Sequence, residues 1–271
     1  MSSKLGELSV GSSVYLNVNG AKTEFLVVHQ GLPSSDYDNS CDGTWLMMEA
    51  LYESRVWHSS LSNSYSASSI HSYLNSTFFN LLDSDINSAV KTVKLPYING
   101  TGSAGSVASG SSGLSAKVFL LSYAEVGFSG GTYVHVEGAV LSYFNGAADS
   151  KRVAKLNGSA ARWWLRSPNT STASFLKDRN AWCAESDGSG INVNVTKSYG
   201  VRPALVLPST LSVSGDGTIV VATIGIQGNV AVDGVRKDLT GESYVNINGV
   251  WKEVVKSYAN INGIWKPTCE A

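Results

Sequence analysis

The sequence predicts an α+β protein, strand- and loop-rich with two short helices, ending in small β-hairpin repeats. Three observations carry this. Two apolar blocks of high strand preference, Trp163-Trp164-Leu165 and Val201 to Leu207, bracket a longer polar segment with no period of its own. Apolar residues recur at helical spacing only from Ser69 through Asn80 and, more briefly, from Asp83 to Val90. Past Pro208 the chain turns short, valine-rich and turn-punctuated, then repeats itself.

From the N-terminus, Val14 to Val18 and Thr23 to Val28 read as a hairpin turning at Asn19-Gly20, a pair that accepts positive φ at both positions. Asp36 to Asp42 is a polar loop, and Trp45 to Met48 resumes a strand. In the first helix Ile70, Tyr73, Leu74 and Phe78 fall on one side, with Ser68 or Ser69 as N-cap. His71 on that helix reads as a surface or hydrogen-bonded residue, not a ligand. Residues 99–115 are nearly all glycine, serine, alanine and threonine and predict a flexible surface loop. Phe128 to Tyr133 is a second glycine-rich turn, without the lysine or helix start of a phosphate cradle.

The block Trp163 to Leu165 is stopped by Ser167-Pro168, where a ladder donor is lost. Pro203 inside Val201 to Leu207 predicts an edge position or a bulge. Between the blocks, Asn169 to Ser174 is turn-rich and Ala181 to Ala184 is a short strand. Ser186 to Gly190 is a tight turn, and Ile191 to Val195 alternates strictly. Together they predict a two-stranded ribbon from Asn180 to Thr196, one face on the body of the protein and the other toward solvent or a partner.

In the tail, residues 244–252 (Tyr-Val-Asn-Ile-Asn-Gly-Val-Trp-Lys) are matched by residues 258–266 (Tyr-Ala-Asn-Ile-Asn-Gly-Ile-Trp-Lys). Each unit reads as strand, Asn-Gly turn and strand. Two such units bury too little to fold alone, which predicts docking on neighbours or trimerisation. Trp251 and Trp265 read as packing residues, with sugar stacking as the competing reading. The expected division is a domain at 1–208 and a β-rich region at 209–271.

Composition limits function. A net charge of -1 with 15% charged residues leaves no basic field for nucleic acid. Hydrophobic residues at 43%, with 27 glycines and 7 tryptophans, fit a strand-and-loop protein with a substantial core. The opening residues lack the apolar core of a signal peptide, and no apolar run is long enough to span a membrane. Cys41, Cys183 and Cys269 form neither a disulfide framework nor a zinc pattern, so cytoplasmic synthesis is expected. Cys183 reads either as a free thiol on a display face or as a small buried apolar residue. His29, His58, His71 and His135 show no metal-ligand spacing and pair with no nucleophile motif. Asp187 with Asn192 and Asn194 is too thin for calcium. The expectation is no enzyme, no metal and no cofactor. Arg162, Arg166 and Arg202 read as braces bonded to carboxylates or carbonyls.

The Trp-Trp-Leu-Arg-Ser-Pro block, Asn180-Ala181-Trp182, Ser186-Asp187-Gly188 and the closing Gly200-Val201-Arg202-Pro203-Ala204-Leu205 resemble the C-terminal half of C-type-lectin-like domains in phage and bacterial proteins. Ser69 to Asn75 with Phe78-Phe79, and Lys117 to Val126, resemble the first half, so the likeness covers residues 5–208. Some such domains are variable proteins of diversity-generating retroelements. In that family, asparagine codons are diversified between fixed neighbours. The resemblance implies a variable ligand face over residues 169–199: Ser171, Ala173, Ser174, Phe175, Lys177, Arg179, Trp182, Cys183, Glu185, Ser189, Ile191, Val193, Thr196, Lys197 and Tyr199. The bland reading makes these ordinary hairpin residues, with Ile191, Val193 and Val195 turned to the core. The tail resembles repeats that end phage tail and tail-fibre proteins. Together the two likenesses imply a virion-borne receptor-binding protein made without a signal peptide and bound to a protein or glycan on a target cell. Its C-terminal repeats would hold it in a trimer or a tail assembly. A fixed-specificity carbohydrate- or cell-wall-binding module and a structural virion subunit are the alternatives.

Overall fold

A computed structural model describes residues 3–100, 106–171, 173 and 178–221, together with six tail strands between Gly228 and Pro267. The chain divides into two compact units, 1–221 and 222–271. The expected boundary at 208 thus moves to 221. Ser212–Val213 pairs with Ser3–Lys4 and with Ile219–Val220, so this short C-terminal stretch closes the first unit.

The strands of the two main sheets are β1 (Ser13–Val18), β2 (Ala21–Gln30), β3 (Thr44–Met48), β4 (Glu53–Val56), β5 (Val118–Phe119), β6 (Trp163–Pro168), β7 (Asn180–Ala184), β8 (Gly190–Asn194), β9 (Ser198–Val201) and β10 (Ala204–Leu207). The first sheet runs β1-β2-β3-β10-β5 and the second β8-β7-β6-β9-β4. Pairing is antiparallel except between β6 and β9. The β1–β2 hairpin turns at Asn19-Gly20, both at positive φ, as the sequence predicts.

Val201 to Leu207 is not one strand with a bulge. It breaks at Arg202-Pro203, where the chain leaves the second sheet and enters the first. Residues 49–52 make the opposite passage from β3 to β4, and the two crossovers bond to each other: Met48 N–H donates to the Pro203 carbonyl and Tyr52 N–H to that of Val201. Proline suits a position that belongs to neither ladder. Nor does Ser167-Pro168 stop β6. The strand runs through Pro168, whose partner is Ala181, with an irregularity in register after Trp164.

The central strands lack the alternation of a half-buried strand because both their faces are covered. In β3, Leu46 and Met48 join one hydrophobic cluster and Trp45 and Met47 the other. β10 splits likewise into Leu205 and Leu207 against Ala204 and Val206, and β6 into Trp164 against Trp163 and Leu165.

The first cluster also holds the helices. Ser68 caps α1 (Ser69–Tyr73) by accepting from His71 N–H at 3.1 Å. The helix expected to reach Asn80 then changes pitch, passing through a π turn at Leu74–Phe78 and a 3-10 turn at Phe79–Leu81. α2 spans Ser84–Ala89. His71 is partly buried, with its ring beside the Asn75 amide, and burial lowers its pKa. Residues 101–105 lie outside the described residues. The rest of the expected glycine-serine loop is tied down: Ala108 bridges to Tyr97, and Leu114–Ala116 pairs with Val93–Leu95. Asp36 to Asp42 is a surface loop with a 3-10 turn, as its polar composition predicts, and turns Tyr37 and Cys41 inward.

In the second unit the described residues form three hairpins, one more than the repeat predicts. Gly228–Val232 pairs with Val235–Leu239, Tyr244–Ile247 with Val250–Glu253, and Tyr258–Ile261 with Ile264–Pro267. Val232↔Val235, Ile247↔Val250 and Ile261↔Ile264 are equivalent positions beside Asp-Gly, Asn-Gly and Asn-Gly.

Candidate ligand-binding face

The ribbon β7–β8 forms as the alternation predicts, with Trp182 opposite Asn192 and Cys183 opposite Ile191. Its turn is closed by Asp187, whose Oδ1 accepts from Ser189 N–H at 2.9 Å and from its hydroxyl at 2.7 Å; these bonds lower the carboxyl pKa. Gly188 at φ +88° lies so close to the Asp149 carbonyl that an added Cβ would stand 1.9 Å from its oxygen. Arg152 Nε donates to the Gly188 carbonyl at 3.0 Å. The tip of the ribbon is therefore pinned to the body.

The expectation that only one ribbon face packs is corrected. β7 is buried on both sides, with Ala181 and Cys183 in one cluster and Trp182 and Ala184 in the other. Cys183 is fully buried, and burial raises its thiol pKa well above the ordinary value, so no reactive thiol is displayed. Trp182 and Ser171 are buried too and cannot serve as surface contacts here. Arg179, Ile191, Thr196 and Lys197 are exposed; Ala173, Glu185, Ser189, Val193 and Tyr199 are half-buried. Ser174, Phe175 and Lys177 lie outside the described residues. The surface part of the expected face thus comes from the residues before β7, the ribbon turn, the edge strand with the turn after it, and β9.

On the sheet these residues meet side chains the sequence reading had not placed there. Pairing of Trp163 with Ala184 puts Arg162 across from Glu185, and they bond at 2.5 and 2.9 Å. Arg162 Nη1 also donates to the Tyr199 hydroxyl at 2.8 Å, with the guanidinium 4.6 Å from that ring centre. Tyr199 sits edge-on to Trp164 at 5.1 Å and is paired with Arg55. Arg55 bonds Glu53 at 2.6 Å and covers the Tyr73 ring at 3.7 Å. The result is a half-exposed row of alternating charge and aromatic surface, Glu185, Arg162, Tyr199, Arg55 and Glu53. Arg162 is thus both a brace and part of this surface row. Arg55 and Tyr73, far from the ribbon in sequence, gave no signal short of knowing the strand order.

The opposite side of the ribbon abuts an aromatic stack. Tyr123 contacts Trp182 at 4.5 Å and Phe128 at 4.8 Å between ring centres. Tyr123 and Phe128 also line a cavity of about 220 Å³ with Gly130, Gly131, Val134 and His135. Tyr133 and Val136 stand exposed on the same loop, and Thr170 N–H bonds the Tyr133 carbonyl at 2.8 Å.

Beneath both faces lies a buried polar core. Arg166 makes a two-pronged pair with Glu125 at 2.5 and 2.7 Å and also donates to the Leu120, Pro96 and Glu137 carbonyls. Glu125 further accepts from the Tyr37 hydroxyl at 2.8 Å and from Ser122 N–H at 2.8 Å. Burial raises the Tyr37 pKa, and the Glu125 charge adds to it. Glu137 accepts from Ile98 N–H at 2.9 Å; burial pushes its carboxyl up to about 6, opposed by Arg166. Arg202 bonds the Met48 and Glu49 carbonyls at 2.9 and 2.8 Å. The bracing roles predicted for Arg162, Arg166 and Arg202 are what the structure shows. Among the described residues no group of three or more His, Cys, Asp or Glu is arranged to hold a metal. What the surface offers is hydrogen bonding, charge and ring stacking.

Residues 42–209 match the family described as a domain of unknown function (DUF6273), well over half of the chain. The chain belongs to the DUF6273 family. The DUF6273 match runs from the start of β3 to just past β10. It contains both crossovers, the whole second sheet and the polar core apart from Tyr37, and leaves out the β1–β2 hairpin and the tail. No curated protein and no solved structure matches the chain.

Proposed function

We propose that this DUF6273 protein is a non-enzymatic ligand-binding protein on a C-type-lectin-like scaffold, with a variable face over residues 169–199 diversified by a retroelement and a virion-borne role in attachment to a target cell. The observation that carries the reading is the division of labour along the second sheet. Its inner strands β6 and β7 are covered on both faces, whereas Ile191 on the edge strand, Thr196 and Lys197 in the turn after it and the outer part of Tyr199 on β9 hold surface positions beside or on a ribbon pinned at its tip. Side chains on such an edge can change without disturbing the core, the property a varied face needs. The partner is a protein or glycan met by shape and ring contact; a net charge of -1 provides little steering. The tail hairpins would join the protein to a larger assembly.

The test is deep sequencing of the gene through a growing population of its source. Substitutions concentrated at adenines in the codons for 169–199, with Trp163 to Pro168 and Gly200 to Leu207 untouched, are the expected outcome. The structure sharpens this: codons for exposed Ile191, Thr196 and Lys197 should vary more than that for buried Cys183. An even, low background across the gene would remove the diversification claim.

A further inference from the structure

Natural sheets cover, shorten or charge their edges, because a free edge is a template for another strand. Three of the four edges of the main sheets follow that rule. Tyr15 N–H of β1 bonds the Gly217 carbonyl, and Val18 bridges to Leu82. β5 is two residues long, and Asn75 binds the Val118 N–H and carbonyl with its side-chain amide. β4 carries Glu53 and Arg55, and the Trp164 indole takes the Arg55 carbonyl at 2.8 Å.

The fourth edge, β8, is different. Glu185 N–H bonds the Ser189 carbonyl and Val195 N–H that of Arg179, which fixes the phase of the ladder. Ser189, Ile191, Val193 and Val195 then bond inward to β7, and Gly190, Asn192 and Asn194 direct their amides outward. Within Gly190–Asn194 there is no proline, no charge and no bulge, and Ile191 is 37% exposed. Among the described residues only Lys197 N–H, at the Asn194 carbonyl, touches this row.

The strand also complements itself. Laid antiparallel on a copy about a two-fold axis at Asn192, it sets Asn192 against Asn192, Gly190 against Asn194, and Ile191 against Val193. Outward amides then meet outward amides, and β-branched residues share one face. We propose that β8 pairs with β8 of a second copy, joining the two second sheets into one continuous ten-stranded sheet. The inference stands apart from the ligand reading. If both hold, the dimer sets two ligand faces side by side and binds a repetitive surface with two-point avidity. Main-chain pairing also tolerates uncharged replacements at Ile191 and Val193, since no side chain makes the bonds, whereas a charge placed on the edge opposes it.

Five paired residues bury well under the ~1,000 Å² of a stable interface, so association in the range of about 10–1,000 µM is expected for this contact. The experiment is sedimentation equilibrium of the full chain together with amide exchange by NMR over that range. The expected result is dimerisation accompanied by rising protection at Gly190, Asn192 and Asn194. Asn192→Pro, which removes the outward N–H together with the bond that the Asn192 side chain accepts from Asn180, and Ile191→Lys, which charges the edge and leaves that bond in place, should each weaken it at least tenfold. A chain that stays monomeric overturns the proposal. So does association that leaves these amides exchanging freely and is indifferent to both variants, since that contact lies elsewhere, the tail included. Neither result touches the ligand reading.

Discussion

The crossovers between the main sheets and the ribbon at the end of the second sheet both carry arginines beside tryptophans or tyrosines, yet they are held in opposite ways. At the crossovers Arg202, 2% exposed, bonds two carbonyls and lies 5.1 Å from the Trp163 ring; burial pulls its pKa down to about 10. At the ribbon Arg162 keeps 26% of its side chain in solvent and shares its bonds between Glu185 and Tyr199. A buried group whose partners are lost leaves unpaired polar atoms in a medium that cannot replace them, whereas a half-exposed one trades its partner for water. The chain therefore concentrates the cost of change in its polar core and crossovers and leaves the ribbon surface cheap to alter.

The largest effect should come from the core. Glu125→Gln leaves the fully buried Arg166 without its counter-charge, and urea denaturation should show a loss of about 3–5 kcal/mol. A loss below about 1 kcal/mol for the single change would mean the core does not carry the constraint assigned to it. Next is the one ribbon position expected to behave like the core. Gly188→Ala puts a Cβ against the Asp149 carbonyl at a φ that side chains rarely adopt. Destabilisation of about 2–3 kcal/mol is expected by the same measurement.

Glu137 separates the regions by pH. Its folded-state pKa is raised from 4.5 to about 6 by burial. The folded chain therefore binds more protons than the unfolded one in that interval. Its contribution is fully present below pH 4.5 and is lost as pH rises through about 6. Glu137→Gln should remove this slope and raise stability at pH 7 by about 1–2 kcal/mol relative to the native chain. A difference between the two chains that stays flat from pH 4 to 7 would place Glu137 in a less buried setting.

Much of this organisation was readable in the sequence wherever local chemistry decides structure. Asn19-Gly20 announced a hairpin because few other pairs accept two positive φ values, and Ser186 to Gly190 announced the ribbon turn for related reasons. Failures came where tertiary packing overrides the local signal. Trp182 reads as a display residue, and Cys183 equally as a displayed thiol or a buried one, because nothing in one strand reveals that both its faces will be covered. Pro203 looked like a bulge because a strand broken between two sheets reads the same as one interrupted within a sheet. The Glu185–Arg162–Tyr199–Arg55 row was illegible because it needs the order of four strands, one of them parallel. The third tail hairpin was missed because Arg236 stands where the other two units have tryptophan.

The smallest effects test the other side of the comparison. Thr196→Ala and Lys197→Ala alter exposed side chains after β8, and each should change stability by no more than about 0.5 kcal/mol. Ile191→Ala should stay close to that bound, since Ile191 is 37% exposed, while Val193→Ala should cost more because Val193 packs against the core cluster. The order of these small numbers is the sharper result. If Ile191→Ala proves costlier than Val193→Ala, the outer edge of the ribbon is covered in solution, as pairing with a second copy would require; the excess should then vanish on dilution, because a contact between copies contributes in proportion to their concentration and one within the chain does not.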